Sequence, residues 1–365
     1  EQGWWSRDDA GLPDGKIMKD WLDYVDLCFH LFGDRVKTWI TFNEPWTFLY
    51  LGSGWGSAPS IPEYGDMRID PWVGGHNVLN AHAAAVALYR RDFQPKQHGK
   101  IGITLNMDWR EPKTADPRDV AAAERLLQFQ LGWFADPIFG PEGDYPPVMR
   151  KLYGSRLADF SDEQRRLLKG SADFLGLNHY GTAWVRFHPV AGVDMGYAEV
   201  TSETLPEAAS PWLHGAGWGL RKLLNWVDRR YNHTPIVVTE GGWSDPPSEA
   251  LPEDGTADRA RTLYFANYTA EVLWTIAEDG VDVRGYFAWS LLDNFEWSAG
   301  YSQRFGAVHV EFGFGNDSGA PARNWTQPTA GRQWRQRKDS SCWLETVWRT
   351  QALTSPDPPA FAGCA

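Results

Sequence analysis

Cysteine is scarce in this chain: there are three in 365 residues, at positions 28, 342 and 364, with no Cys-x-x-Cys pair and no Cys/His ligand spacing. That excludes a disulfide-framework scaffold and a structural zinc module. Cys28 falls inside an apolar helical pattern and reads as a packed thiol, while the sequence permits a Cys342–Cys364 bridge without implying it. No apolar run approaches the roughly 20 residues of a membrane span. Neither Gly-x-Ser-x-Gly nor His-Glu-x-x-His occurs, so a serine-hydrolase elbow and a zincin helix are both absent. The Gly-rich LGSGWGS has no Lys-Ser/Thr after it and is weak as a phosphate loop. His76 and His82 stand six apart on a presumed helix, hence on different faces. Positive charge is also in deficit, 35 Lys and Arg against 47 Asp and Glu, a net −12. A nucleic acid or an anionic membrane surface would be repelled. The expectation is therefore a neutral small-molecule ligand, with no metal and no cofactor.

Aromatics are what the chain has in quantity: 14% of residues, 21 of them Trp. Most of these belong in a core, but such a load also suits a protein that stacks the flat apolar faces of sugar rings. Five runs read as strands: 36–44, 101–109, 173–181, 235–240 and 285–292. Helical patterns alternate with them; in the first, Leu22, Val25, Phe29 and Phe32 recur at helical spacing and Gly33 supplies a stop. Near-continuous apolar strands alternating with helices predict an α/β fold with a parallel sheet under helices. No linker or repeat divides residues 1–340, which read as one catalytic domain. Residues 341–365 read as a Pro/Ala-rich C-terminal tail.

Chemistry-capable side chains gather where the strands end. The first run ends in Asn43 and Glu44, the third in Asn178, His179 and Tyr180, the fourth in Glu240, and the fifth leads from Trp289 into Asp293, Asn294 and Glu296. In a (β/α)8 barrel the site is assembled from several strand ends at one face, whereas a nucleotide-binding sheet announces itself in a Gly-rich first turn. Glu44 and Glu240 are 196 positions apart, yet a barrel brings strand ends around one mouth. Two facing carboxyl groups are what glycoside hydrolysis requires, one to protonate the leaving oxygen and one to act from the opposite ring face.

Taken together the motifs make the chain recognisable. TFNEPW, PIVVTEGGWSD, DFLGLNHYG, GYFAWSLLDNFEWSAGYSQRFG, PWVGGHNVLNAHAAAVALYR and FADPIFGPEGDYP resemble, in order and over about residues 3–340, segments of glycoside hydrolase family 1, the retaining β-glucosidases. The resemblance implies a (β/α)8 TIM barrel, Glu44 as acid/base and Glu240 as nucleophile. It implies that Asn43 and Asn178 line the glycone site, that Tyr180 orients the nucleophile, that Trp289 lies under the sugar, and that Glu296 and Trp297 meet its distal hydroxyls. A carboxylate at 296 disfavours a 6-phosphate. Glu rather than Gln at 44 favours O-glycosides over thioglucosides.

Two departures stand out. Gly241 replaces the family's Asn after the nucleophile, and its backbone freedom is expected to loosen that turn slightly. The chain also begins where the family has completed about three βα units, so an open barrel with exposed sheet edges is expected. The opening EQGWW lacks Met and leaves the compartment undetermined; the sequons at Asn232, Asn267, Asn316 and Asn324 are compatible with secretion. A second reading remains open beside the enzyme, a non-catalytic relative that binds glycans or a partner protein. Oligomeric state and aglycone are not legible, though loops 52–72 and 187–212 are expected to shape the aglycone side.

Overall fold

Each apolar run expected to pair does so: β1 (Thr38–Asn43), β2 (Lys100–Asn106), β3 (Leu175–Asn178), β4 (Ile236–Glu240) and β5 (Val283–Tyr286) form a five-stranded sheet. The computed structural model describes residues 16–52, 68–245, 257–310, 312 and 335–357. All four pairings are parallel, and order in the sheet equals order in the chain. Parallel neighbours need a crossover of a dozen or more residues, and the helices between the runs provide it. A doubly wound sheet reverses its strand order partway; this one does not, so every crossover carries the chain the same way and all the C-terminal ends share one rim. Ile103, Leu105, Leu175, Leu177, Ile236 and Val238 are buried and join one core with the crossover helices. Among the described residues β1 and β5 each have a single strand neighbour, and Ile40 on β1 and Phe287 just past β5 are exposed.

The longer helices are α1 (Lys16–Phe32), α2 (Asp70–Leu88), α3 (Pro117–Leu127), α4 (Gly217–Arg230), α5 (Arg259–Ala277) and α6 (Asp339–Thr350). In α1, Val25 and Phe29 are one turn apart and both buried, with Phe29 set against Trp39, Tyr89 and Phe93. Phe32, expected on that buried face, is instead exposed with Tyr24, Leu27 and Leu31. The Gly33 N–H still closes the helix on the Phe29 carbonyl. Asp116 caps α3 by accepting the Arg118 N–H at 2.8 Å, with Pro117 at the first helical position. α2 is buried nearly all round, and at Gly75 a Cβ would meet the Trp133 ring at 2.7 Å, so only glycine fits.

Three features were not anticipated. A second sheet, Trp109–Pro112 with Thr182–Phe187 and Ala198–Thr201, lies beyond the rim, because the chain leaving β2 and β3 stays paired after leaving the main sheet. The fifth strand ends at Tyr286, not 292; residues beyond it turn to pair with a short strand, Leu292 bridging Val308. The division at 340/341 is corrected: it falls inside α6, whose Trp343 and Leu344 are fully buried and join the main core. Cys342 on α6 is disulfide-bonded and Cys28 is free. Cys364 lies outside the described residues, as do Asn316 and Asn324.

Candidate active site

β1 delivers Asn43 and then Glu44, which takes a positive φ of 52° while its N–H bonds the Thr104 carbonyl of β2 at 3.0 Å. A non-glycine residue persists in that conformation only where its surroundings hold it. The helical turn that follows holds the carboxylate too, since the Thr47 hydroxyl donates to Glu44 Oε2 at 2.8 Å. From the end of β3, the buried Asn178 amide donates to Glu44 Oε1 at 2.8 Å and to Asn43 Oδ1 at 3.0 Å. The Thr239 hydroxyl donates to Asn178 Oδ1 at 2.6 Å, which fixes the direction of that amide. Asn43 Nδ2 in turn donates to Glu240 Oε1 at 3.3 Å, and the Tyr180 hydroxyl to Glu240 Oε2 at 2.7 Å. Two carboxylates from opposite parts of the chain are thus tied to each other through two amides.

The electrostatics follow from burial and proximity. Burial raises the pKa of Glu44; the Asn178 amide and the Thr47 hydroxyl oppose this, and the charge on Asp108 adds to it. Glu240 is pushed up to about 7, by burial first and then by Glu44, against the pull of Tyr180, Asn178 and Asn43. Glu296 is also pushed up to about 7, by burial and by Glu44, so it belongs to the same field. Three acids sharing one poorly solvated pocket cannot all carry charge at neutral pH without strong repulsion.

Trp289 is half-buried, with its N–H on the Gly241 carbonyl at 2.8 Å; the peptide joining it to Ser290 is cis. That bond and the Tyr286 hydroxyl, 2.7 Å from where a Cβ at 241 would lie, occupy the space that was expected to leave the Gly241 turn loose. Trp297 stands apart: it lies at the exposed start of the turn Trp297–Ala299 and makes no ring contact or hydrogen bond with the cluster. His76 and His82 are committed to the fold, His76 to the Tyr145 hydroxyl at 3.1 Å and His82 to the Thr41 hydroxyl at 2.7 Å. Among the described residues no group of three or more His, Cys, Asp or Glu is placed to hold a metal.

Behind the rim lies a buried ionic cluster. Asp245, just past β4, pairs with Arg261 of α5 at 2.5 Å and with Lys338 at 3.2 Å. Lys338 also reaches Asp293 at 3.2 Å, which pairs with Arg304 at 3.0 Å, and Arg261 holds Asp258 at 2.6 Å. The loop after Glu240 and the loop carrying Glu296 are therefore fastened to one another by the residue that precedes α6.

The model of glycosyl hydrolase family 1 matches residues 6–352. The chain belongs to this family. Beta-glucosidase 1B of Phanerodontia chrysosporium is 41% identical over 98% of the chain and 64% of the relative's length. Beta-glucosidase 42 of Arabidopsis thaliana is 42% identical over 83% of the chain and 64% of the relative. The chain thus spans about 64% of the length of these curated relatives. The structure of a family 1 β-glucosidase from the fungus Humicola insolens in complex with glucose superposes with a TM-score of 0.84 at 37% identity, covering 97% of this chain and 72% of that one. A rice β-glucosidase superposes with a TM-score of 0.83 at 35% identity, with the same coverage. The five parallel strands and their helices are accordingly the wall of a family 1 (β/α)8 barrel.

Within this family 1 site, several participants escaped the sequence reading. Thr47 and Thr239 orient Glu44 and Asn178, and each lies within three positions of a catalytic candidate. Asp108 accepts the N–H groups of Tyr180 and Gly181 at 3.3 and 2.9 Å, and it stands at a strand end where the rule that found Glu44 applies equally. Trp212 sets its edge against the Tyr180 ring, centroids 5.6 Å apart, and no local pattern marks it.

Proposed function

We propose that this chain carries the chemistry of a retaining β-glycosidase acting on terminal β-D-glucosides. The observation that carries the reading is the pair Glu44 and Glu240, tied through Asn43 and Asn178 at the sheet rim, each with a raised pKa. The pair shares a proton, and its placement follows from the partners. Glu240 is held down by Tyr180, Asn178 and Asn43, whereas Glu44 has Asn178 and Thr47 and feels the charge of Asp108. The proton therefore rests on Glu44 and the charge on Glu240.

Glu44 gives its proton to the glycosidic oxygen as the C1–O bond breaks, and Glu240 bonds to C1 from the opposite face. A water then loses its proton to Glu44 and attacks C1, releasing sugar and restoring the Glu240 carboxylate. Asn43 and Asn178 are positioned for the 2-hydroxyl, a contact that strengthens as positive charge builds on the ring. Trp289 supplies the apolar floor, and Glu296 accepts from the far hydroxyls, with Trp297 beside it once substrate is seated. A carbohydrate hydroxyl is a better partner for Glu296 than a phosphate, because the pocket already carries excess negative charge. An intact acid pair with every orienting partner in place favours this reading over glycan binding alone.

The test is hydrolysis of 4-nitrophenyl β-D-glucoside by the purified chain beside Glu240→Ala, followed by NMR of the first-formed anomer. Turnover that vanishes in the variant and releases the β-anomer is expected. Release of the α-anomer, or activity that survives Glu240→Ala, would remove the reading.

A further inference from the structure

Arg110 is a cation with no salt-bridge partner among the described residues. It sits in the outer strand Trp109–Pro112, two residues past Asp108, and its side chain is half-buried. Its guanidinium makes no hydrogen bond and no ion pair among the described residues. The acids around it are engaged elsewhere. Asp108 accepts the backbone N–H of Gly181, and Glu111 takes Lys222 at 2.8 Å and the Trp109 indole at 2.6 Å. Glu124 receives Trp226 and Gln128, and Asp194 pairs with Arg156 at 2.6 Å. Burial draws the Arg110 pKa down and Asp108 alone draws it up. A guanidinium withdrawn from water without a partner is costly, and the cost is relieved when an anion arrives.

Arg110 borders a cavity of about 210 Å³ whose other walls include Trp46, Tyr50, Phe129 and Tyr153. A 150 Å³ apolar cavity accepts one benzene ring, so this volume takes a substituted ring. Trp46 and Tyr50 are stacked, centroids 5.3 Å apart, on the helical turn that begins at Glu44, so two of the cavity's walls are carried by the element that follows the proposed proton donor. Asp194 also lines it but is neutralised by Arg156, which leaves one net positive charge among aromatic walls. Arg110 also borders a wider groove of about 770 Å³ toward α3 and α4. There Arg221 is satisfied by Asp279 and Glu278 and Lys222 by Glu111.

We infer that this cavity is a leaving-group subsite selective for aromatic acids, with the Arg110 guanidinium pairing a carboxylate carried on the aryl ring. The inference rests on the glycosidase reading for its placement beside Glu44. A guanidinium and a carboxylate form a bidentate pair with defined geometry, so Arg110 sets the ring's orientation as well as its charge.

The experiment compares kcat/KM for 4-carboxyphenyl β-D-glucoside with that for its methyl ester, in the native chain, Arg110→Gln, Arg110→Lys and Arg229→Gln. Using the ratio of the two substrates cancels any general damage to the fold. The acid-to-ester ratio is expected to fall at least tenfold in Arg110→Gln and to stay within about threefold in Arg110→Lys. It should be unmoved in Arg229→Gln, which removes an exposed cation from the neighbouring groove. Calorimetric binding of 4-hydroxybenzoate to the same proteins reads the cavity even without turnover, and at least tenfold weaker binding to Arg110→Gln is expected. Equal ratios in the native chain and Arg110→Gln would overturn the inference and leave the glycosidase reading intact. Hydrolysis of neither glucoside, with 4-hydroxybenzoate still bound through Arg110, would overturn the glycosidase reading and the leaving-group role with it, and leave only the recognition of an aromatic acid by Arg110. No binding of 4-hydroxybenzoate by the native chain would overturn the inference.

Discussion

Asn178 donates to an oxygen of Glu44 and to Asn43, which itself donates to Glu240, so a change of charge on either acid is felt by the other through one short path. This coupling gives a testable sign. With the proton on Glu44, the charge of Glu240 is what helps hold it there, so Glu240→Gln lets Glu44 ionise at lower pH. The midpoint of the Glu44 carboxyl carbon-13 shift, followed by NMR through a pH titration, should therefore move down in Glu240→Gln relative to the native chain. With a poor leaving group such as methyl, Glu44→Gln should lose about 10²–10⁴-fold, the usual worth of general acid catalysis. A Glu44 midpoint that stays in place would mean that the two acids do not sense one another. Glu44 and Glu240 were legible because a carboxylate at the end of a buried strand conflicts with its surroundings and demands a reason. Thr47 and Thr239 were not singled out, because a hydroxyl near an acid is too ordinary to stand out before the partners are seen in space, whereas Asp108 stands at a strand end and was open to the same rule that found Glu44.

The elements were more legible than their ends. All five main strands form, since each is an apolar run with no competing helical period. The outer sheet was missed because Trp109–Pro112 is four residues long and ends in proline, which gives pattern reasoning nothing to count. The last helix was misplaced into a tail because the Pro/Ala-rich residues after it dominate the local composition. Within DSSCWLETVWRT, however, Cys342, Trp343 and Leu344 are buried while Trp348 is exposed, as an amphipathic helix requires. The residue that precedes this helix, Lys338, is fully buried between Asp245 and Asp293. Replacing it as Lys338→Met leaves two interior carboxylates undercompensated, and urea unfolding should show a loss of about 3 kcal/mol. An unchanged unfolding midpoint would mean that water or rearrangement already serves those acids.

For the molecule as a whole, buried acids and buried histidines pull stability in opposite directions with pH. Glu240 and Glu296 are raised to about 7 and Asp258 to about 6, so their contribution is complete below about 4.5 and is lost as pH rises through those values. His76 and His82 are lowered, to about 4 and about 3, by burial, so their contribution is complete above about 6.5 and is lost as pH falls. The two slopes oppose each other between about 4.5 and 6.5. The melting temperature should therefore show a broad maximum across that interval and decline on both sides, by several degrees for each kcal/mol at play. A Tm that rises steadily from pH 4 to pH 9 would contradict the raised carboxyls.

The strand order has a consequence for synthesis. Because β1 to β5 lie side by side in the order in which they are translated, each strand that leaves the ribosome finds its neighbour already present, and the sheet can grow from one side without waiting for a distant segment. The ionic cluster breaks this orderly progress. Asp245 and Asp293 emerge well ahead of Lys338, so the two loops that bear Glu240 and Glu296 are joined on the nascent chain through Arg304 first and gain the Lys338 tie only later. The five strands are laid down first, and the tie across their loops is completed after them.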